Sequence, residues 1–175
     1  MKDIVLITGG CRSGKSGYAL KIAEGINTDR KVFIATCVPH DREMKQRVEN
    51  HQKERNESWD TVEVPVNLPE AIVKNSSVKN VILVDCLTLW INNLMLENKI
   101  DNQEKIIPYL DNLIRSLDYS EGTVILVSNE VGTGIVPENK MARLFRDLAG
   151  LVNQKIALCS NKVIWMVAGI PVHIK

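Results

Sequence analysis

Residues 3–16 read DIVLITGGCRSGKS, and this stretch decides the fold. Its first half, Asp3 to Thr8, is a short β-branched apolar run of the kind that forms a buried strand. Its second half, Gly9-Gly10-Cys11-Arg12-Ser13-Gly14-Lys15-Ser16, matches G-x-x-x-x-G-K-[ST] in full. Glycines let the backbone wrap closely enough for successive N–H groups to point at one anion. A helix opening near Lys15 adds the positive end of its dipole. In that setting Lys15 reaches the β- and γ-phosphates of a nucleoside triphosphate, and the Ser16 hydroxyl ligates Mg2+.

Outward from this phosphate loop, the chain alternates short apolar runs with segments of helical period, the pattern of a mostly parallel sheet covered by helices. Strands are expected near 3–8, 31–36, 60–64, 81–85, 123–128 and 162–168, with a short strand at 172–174 pairing antiparallel at an edge. Helices are expected over 15–25, 41–57, 68–75, 87–97, 103–117 and 138–160. The last carries Met141, Leu144, Phe145, Leu148, Leu151, Val152, Ile156 and Cys159 on one stripe, which places it on the sheet. The polar stretch from Glu97 to Asn102 reads as a surface connection. The expectation is an α/β fold of the P-loop NTPase type, with six to seven strands in one domain spanning 1–175.

Composition narrows the partners. Lys and Arg total 22 against 21 Asp and Glu, so no basic field draws the chain to nucleic acid or anionic lipid. Apolar residues make up 45% of the chain but come in short runs, none approaching the ~20 consecutive residues of a membrane span. The N-terminus runs directly into the glycine-rich loop and does not read as a signal peptide, so the expected location is the cytoplasm. Cys11, Cys37, Cys86 and Cys159 are widely spaced and read as free, buried or half-buried thiols.

In open α/β sheets, ligands bind outside the carboxyl ends of the strands. Four segments therefore face one rim: the phosphate loop, Thr36-Cys37, Asp85 and the stretch Ser128 to Gly134. Asp85 ends the apolar run Val81-Ile82-Leu83-Val84 and fits either a magnesium site or the cap of the next helix, with Thr88 three residues on. Ser128 to Gly134 fits a substrate contact or a plain connection.

Segment 41–57, DREMKQRVENHQKERNE, is unusually polar, with only Met44 and Val48 as an apolar stripe. Arg47, His51 and Arg55 recur at i+4 and share one helix face. Guanidinium groups there bind phosphate oxygens, and their charge favours neutral imidazole, the nucleophilic form. A solvated charged helix with an incidental histidine is the alternative.

Together GGCRSGKS, Arg47-x-x-x-His51-x-x-x-Arg55 with Trp59, DCLTLWINN from Asp85, SNEVGTGIVPENKMARLFRDLAGLVNQ from Ser128 and the closing AGIPVHIK resemble the bifunctional adenosylcobinamide kinase/adenosylcobinamide-phosphate guanylyltransferase family. The resemblance covers nearly the whole chain. It implies phosphorylation of the aminopropanol hydroxyl of adenosylcobinamide by ATP or GTP. Transfer of GMP from GTP then gives adenosylcobinamide-GDP, through a GMP-histidine intermediate that maps to His51. It also implies a corrinoid substrate and a homotrimer; nucleotide contacts are expected at the phosphate loop, Thr36, Arg47, Arg55 and Asp85, with magnesium at Ser16 and Asp85. Some relatives have two adjacent histidines where this chain has Asn50-His51, and only His51 keeps the spacing to both arginines. Others have glutamate at the position of Asp85. A monofunctional small-molecule kinase, in which His51 only binds phosphate, is the rival reading. A GTPase-like switch would need a D-x-x-G segment after Asp85, where the chain has Cys-Leu-Thr.

Overall fold

The computed structural model describes residues 2–39, 42, 46 and 58–175. Seven strands form one sheet: β1 (Asp3–Gly9), β2 (Arg30–Ala35), β3 (Trp59–Glu63), β4 (Asn80–Asp85), β5 (Thr123–Asn129), β6 (Lys162–Val167) and β7 (Ile170–His173). The order across it is β3-β2-β4-β5-β1-β6-β7. Every pairing is parallel except β6 with β7. The described helices are α1 (Lys15–Glu24), α2 (Leu68–Asn75), α3 (Leu87–Glu97), α4 (Gln103–Tyr119) and α5 (Lys140–Cys159). The expected helix over 41–57 lies outside the described residues.

Both sheet faces are covered, which is why β1, β4 and β5 read as continuous apolar runs and not as alternating ones. On one face Leu6, Ile34, Ile82, Val84, Val124 and Leu126 pack with Leu68 and Ile72 of α2, Trp90 and Leu94 of α3, Leu110 and Leu113 of α4, and Val152 and Ile156 of α5. On the other, Val5, Ile7, Leu83, Ile125 and Val127 meet Ala19, Leu20 and Ala23 of α1. Phe33 and Trp59 close that layer edge to face, with ring centroids 6.2 Å apart. Each such buried aliphatic side chain stabilises by roughly 1.5–3 kcal/mol relative to exposure, so the central strands anchor the rim above them.

Several element ends have local causes. The Asn102 side chain accepts the Lys105 N–H at the start of α4, and Asn139 accepts the Ala142 N–H at the start of α5. Such caps are typically worth ~1 kcal/mol. The second one sets α5 to begin at Lys140, two residues later than its apolar period suggests. Met141 in that first turn is 56% exposed, so the α5 stripe on the sheet is formed by Leu148, Val152 and Ile156, with Leu144, Phe145, Leu151 and Cys159 at its margin. The 97–102 connection is not purely a surface one: Ile100 is 2% exposed and pins it to the core. β7 begins earlier than expected because Ala168 and Gly169, at φ 51 and 81, turn the chain in a two-residue hairpin.

Candidate active site

The phosphate loop joins the end of β1 to the start of α1. Arg12 (φ 55) and Gly14 (φ 89) adopt left-handed backbone, and the Ser13 N–H donates to the Gly10 carbonyl at 3.3 Å. Alternating right- and left-handed residues turn consecutive N–H groups inward, which makes an anion-binding concavity. Gly14 is the residue where this matters most: any side chain there would hold φ near +89 only under strain. The loop is braced from outside, because the Gly169 N–H of the β6–β7 turn donates to the Ser13 carbonyl at 3.1 Å.

Lys15 is 8% exposed, and its Nζ donates to the Gly10 carbonyl at 2.9 Å, so the ammonium folds over the loop it serves. Ser16 is half-buried in the first turn of α1; Cys11 and Arg12 are exposed, while Ser13 is buried with its hydroxyl unpaired. Cys11 thus departs from the expected burial of the thiols.

Asp85 ends β4, where it is in register with Ala35 of β2 and Val127 of β5. The helix that follows is capped at Cys86 without a side-chain bond, so the capping role offered for Asp85 is not used. Thr88 instead accepts the Asn129 N–H at 2.7 Å. Cys86 senses both charges of the rim. Burial first, then Asp85, pushes its thiol up to about 12, while Lys15 acts in the opposite sense. The Cys37 thiol is likewise raised, mainly by burial and then by Asp85 and Glu63. Both thiols stay protonated near neutrality and are poor nucleophiles.

Thr36, expected among the nucleotide contacts, is fully buried. Its hydroxyl donates to the Cys86 carbonyl and accepts the Cys86 N–H, both at 2.8 Å, and its carbonyl accepts from Asn93 at 2.8 Å. The side chain ties the end of β2 to the β4–α3 junction, which steadies Asp85. Arg47, His51 and Arg55 lie outside the described residues. A cleft of about 670 Å³ lined by Arg30, Glu63, Val66, Glu70 and Glu97 opens beside α2, away from the phosphate loop. A triphosphate is held by a backbone nest and needs no such cavity.

A strand, a glycine loop with an inward lysine, and a carboxylate on the same rim define a P-loop nucleotide-binding α/β protein. The solved structures agree on the fold. An ATPase from the type III secretion system of pathogenic bacteria superposes with TM-score 0.63 at 11% identity, over 93% of this chain and 50% of that one. This chain spans half the length of that ATPase, and the likeness shows the fold alone. The flagellar accessory protein FlaH from Methanocaldococcus jannaschii gives TM-score 0.54 at 16% identity, over 99% of this chain and 78% of that one.

Sequence comparison is more specific. Residues 5–174 match the CobU family, cobinamide kinase / cobinamide phosphate guanyltransferase, and the chain belongs to it. It is 38% identical to the bifunctional adenosylcobalamin biosynthesis protein CobU of Escherichia coli K12, over 98% of this chain and 99% of that protein. It is 37% identical to the bifunctional adenosylcobalamin biosynthesis protein CobP of Pseudomonas aeruginosa, over 100% and 98%.

Proposed function

We propose that this chain phosphorylates the aminopropanol hydroxyl of adenosylcobinamide with ATP or GTP, and then transfers GMP from GTP to that phosphate through an adduct on His51. The family match across residues 5–174 carries the reading, and the convergence of Lys15, Ser16 and Asp85 on one rim supports it. Lys15 and the loop N–H groups bind and orient the triphosphate, and their preorganised charge favours the transition state over the ground state. In the second reaction the His51 imidazole attacks the α-phosphorus, pyrophosphate leaves, and the corrinoid phosphate then displaces the histidine. Arg47 and Arg55 neutralise the phosphate oxygens around that exchange.

Magnesium suits the groups present. Ser16 and Asp85 are hard oxygen donors, and both stand at the carboxyl-end rim of the sheet, Asp85 at the end of β4 and Ser16 in the first turn of the helix that follows β1. Ser16 and Asp85 would hold the ion, which when bound neutralises charge on the phosphate oxygens. We further place the whole chain in one domain, in the cytoplasm, acting on a small corrinoid and not on nucleic acid. No helix among the described residues is long and apolar enough to cross a membrane.

The test uses adenosylcobinamide, Mg2+, ATP and α-labelled GTP with separation of the corrinoid products. Adenosylcobinamide phosphate followed by adenosylcobinamide-GDP is expected, with transient label on the protein. Phosphate alone, with no label on the protein, would establish the monofunctional kinase instead. Neither product would end the reading.

A homotrimer is also proposed. The β6–β7 hairpin supports burial against another copy, because Trp165 pairs with Val172 and Val167 with Ile170, leaving four apolar side chains at least 39% exposed on one face. Light scattering at micromolar protein should give three times the chain mass. A monomer would remove the trimer and leave the chemistry standing.

A further inference from the structure

Strand β5 separates β1 from β4, so the chain leaving β5 emerges between the phosphate loop and Asp85. The residues there are Asn129, in register with Gly9, and Glu130. Their backbone is clamped from three sides. The Asn129 N–H donates to Thr88 Oγ1 of α3 at 2.7 Å, its carbonyl accepts from Asn153 Nδ2 of α5 at 3.2 Å, and the Glu130 N–H donates to the Gly9 carbonyl at 2.9 Å. The bond to Gly9 continues the parallel β1–β5 ladder, and Thr88 and Asn153 hold the last residue of β5, so Glu130 leaves a fixed strand end, a rigid mount for a reacting side chain.

Glu130 as a whole is half-buried, with its carboxylate open to solvent. Its Oε1 accepts the Gly132 N–H at 2.7 Å, and it forms no ion pair among the described residues. Gly132 permits that approach, since a Cβ there would fall 2.9 Å from Oε1. A carboxylate on a backbone tied to Gly9, holding a neutral N–H and no cation among the described residues, has lone pairs free to accept the proton of a substrate hydroxyl. Asp85, the other carboxylate of the rim, lies beyond β5 from Gly9 and belongs with Ser16.

Resting on the functional reading above, we infer that Glu130 is the general base of the phosphorylation step. As the substrate oxygen bonds to the γ-phosphorus, its O–H proton passes to Glu130. The bond from that phosphorus to the bridging oxygen breaks, and nucleoside diphosphate leaves with the bond's electrons. Glu130 exchanges its Gly132 contact for the substrate hydroxyl and later loses the proton to water. Guanylyl transfer makes no such demand, because its acceptor is already a phosphate oxygen.

The two reactions therefore separate the idea from a merely structural role for the loop. In Glu130→Gln, kcat for phosphorylation should fall by about 10²–10⁴-fold with little change in KM for the nucleotide. Guanylyl transfer to separately prepared adenosylcobinamide phosphate should change less than about threefold, and Glu130→Asp should recover part of the phosphorylation rate. Phosphorylation by Glu130→Gln at nearly the wild-type rate would overturn the assignment. An equal fall in both reactions would also overturn it, showing that Glu130 only props the loop. Wild-type protein that phosphorylates no adenosylcobinamide would instead bring down the functional reading and this assignment with it.

Discussion

Lys15→Ala should lower both phosphorylation and guanylyl transfer by at least about 10²–10³-fold, the loss seen when one preorganised donor is removed from developing transition-state charge. Both reactions move negative charge onto the leaving group of a triphosphate bound in this loop, where Lys15 supplies the ammonium. The fold should survive. Lys15 occupies the first position of α1, where alanine is a good helix former, and its side-chain hydrogen bond in the described structure is the one to the Gly10 carbonyl. Thermal unfolding should therefore shift by no more than a few degrees, roughly what a 1 kcal/mol change produces in a domain of this size. Lys15→Arg should rescue little, since a planar fork does not replace a compact ammonium inside a closed loop. If either reaction keeps its wild-type rate in Lys15→Ala, the two do not share this phosphate site.

The parts of the fold that were legible in sequence are those set by local pattern. The phosphate loop, the central strands and α1 to α4 follow from apolar period and glycine placement, and their ends agree to within two residues. What was not legible depends on tertiary neighbours. The placement of β5 between β1 and β4 is a property of the whole sheet, and it alone brings Asn129 and Glu130 beside Gly9. The stretch Ser128 to Gly134 is equally consistent in sequence with a plain connection, and the bonds that hold Asn129 to Thr88 and Asn153 appear only in the fold. Ala168 hid the β6–β7 turn because asparagine, aspartate or glycine is the usual residue at positive φ. Thr36 reads as a rim residue in sequence, and its two bonds to Cys86 become visible only when β2 and β4 are side by side. Asp85 before a helix resembles a cap in any sequence; the choice of Cys86 as the cap is made by the chain's path out of β4.

His51→Ala should abolish the GMP adduct and guanylyl transfer while leaving phosphorylation of adenosylcobinamide at close to its wild-type rate. The asymmetry comes from the chemistry. Phosphorylation is a direct transfer between bound substrates, which draws on the loop, the Ser16 and Asp85 oxygens and Glu130, and needs no imidazole. Guanylyl transfer needs a nucleophile to hold GMP between two displacements, and in this sequence one imidazole stands four residues from an arginine on either side. The label on wild-type protein should have the stability of a P–N bond, lost in acid and retained in alkali. An acyl phosphate on aspartate or glutamate would be cleaved by alkali. Because neutral imidazole is the attacking form, labelling should also weaken as the solution is made acidic. Arg47→Ala and Arg55→Ala should slow adduct formation without abolishing it, since they remove charge neutralisation and leave the nucleophile in place. A full-strength, acid-labile adduct in His51→Ala protein would falsify the assignment, and peptide mapping of that label would identify the residue that carries GMP in its stead.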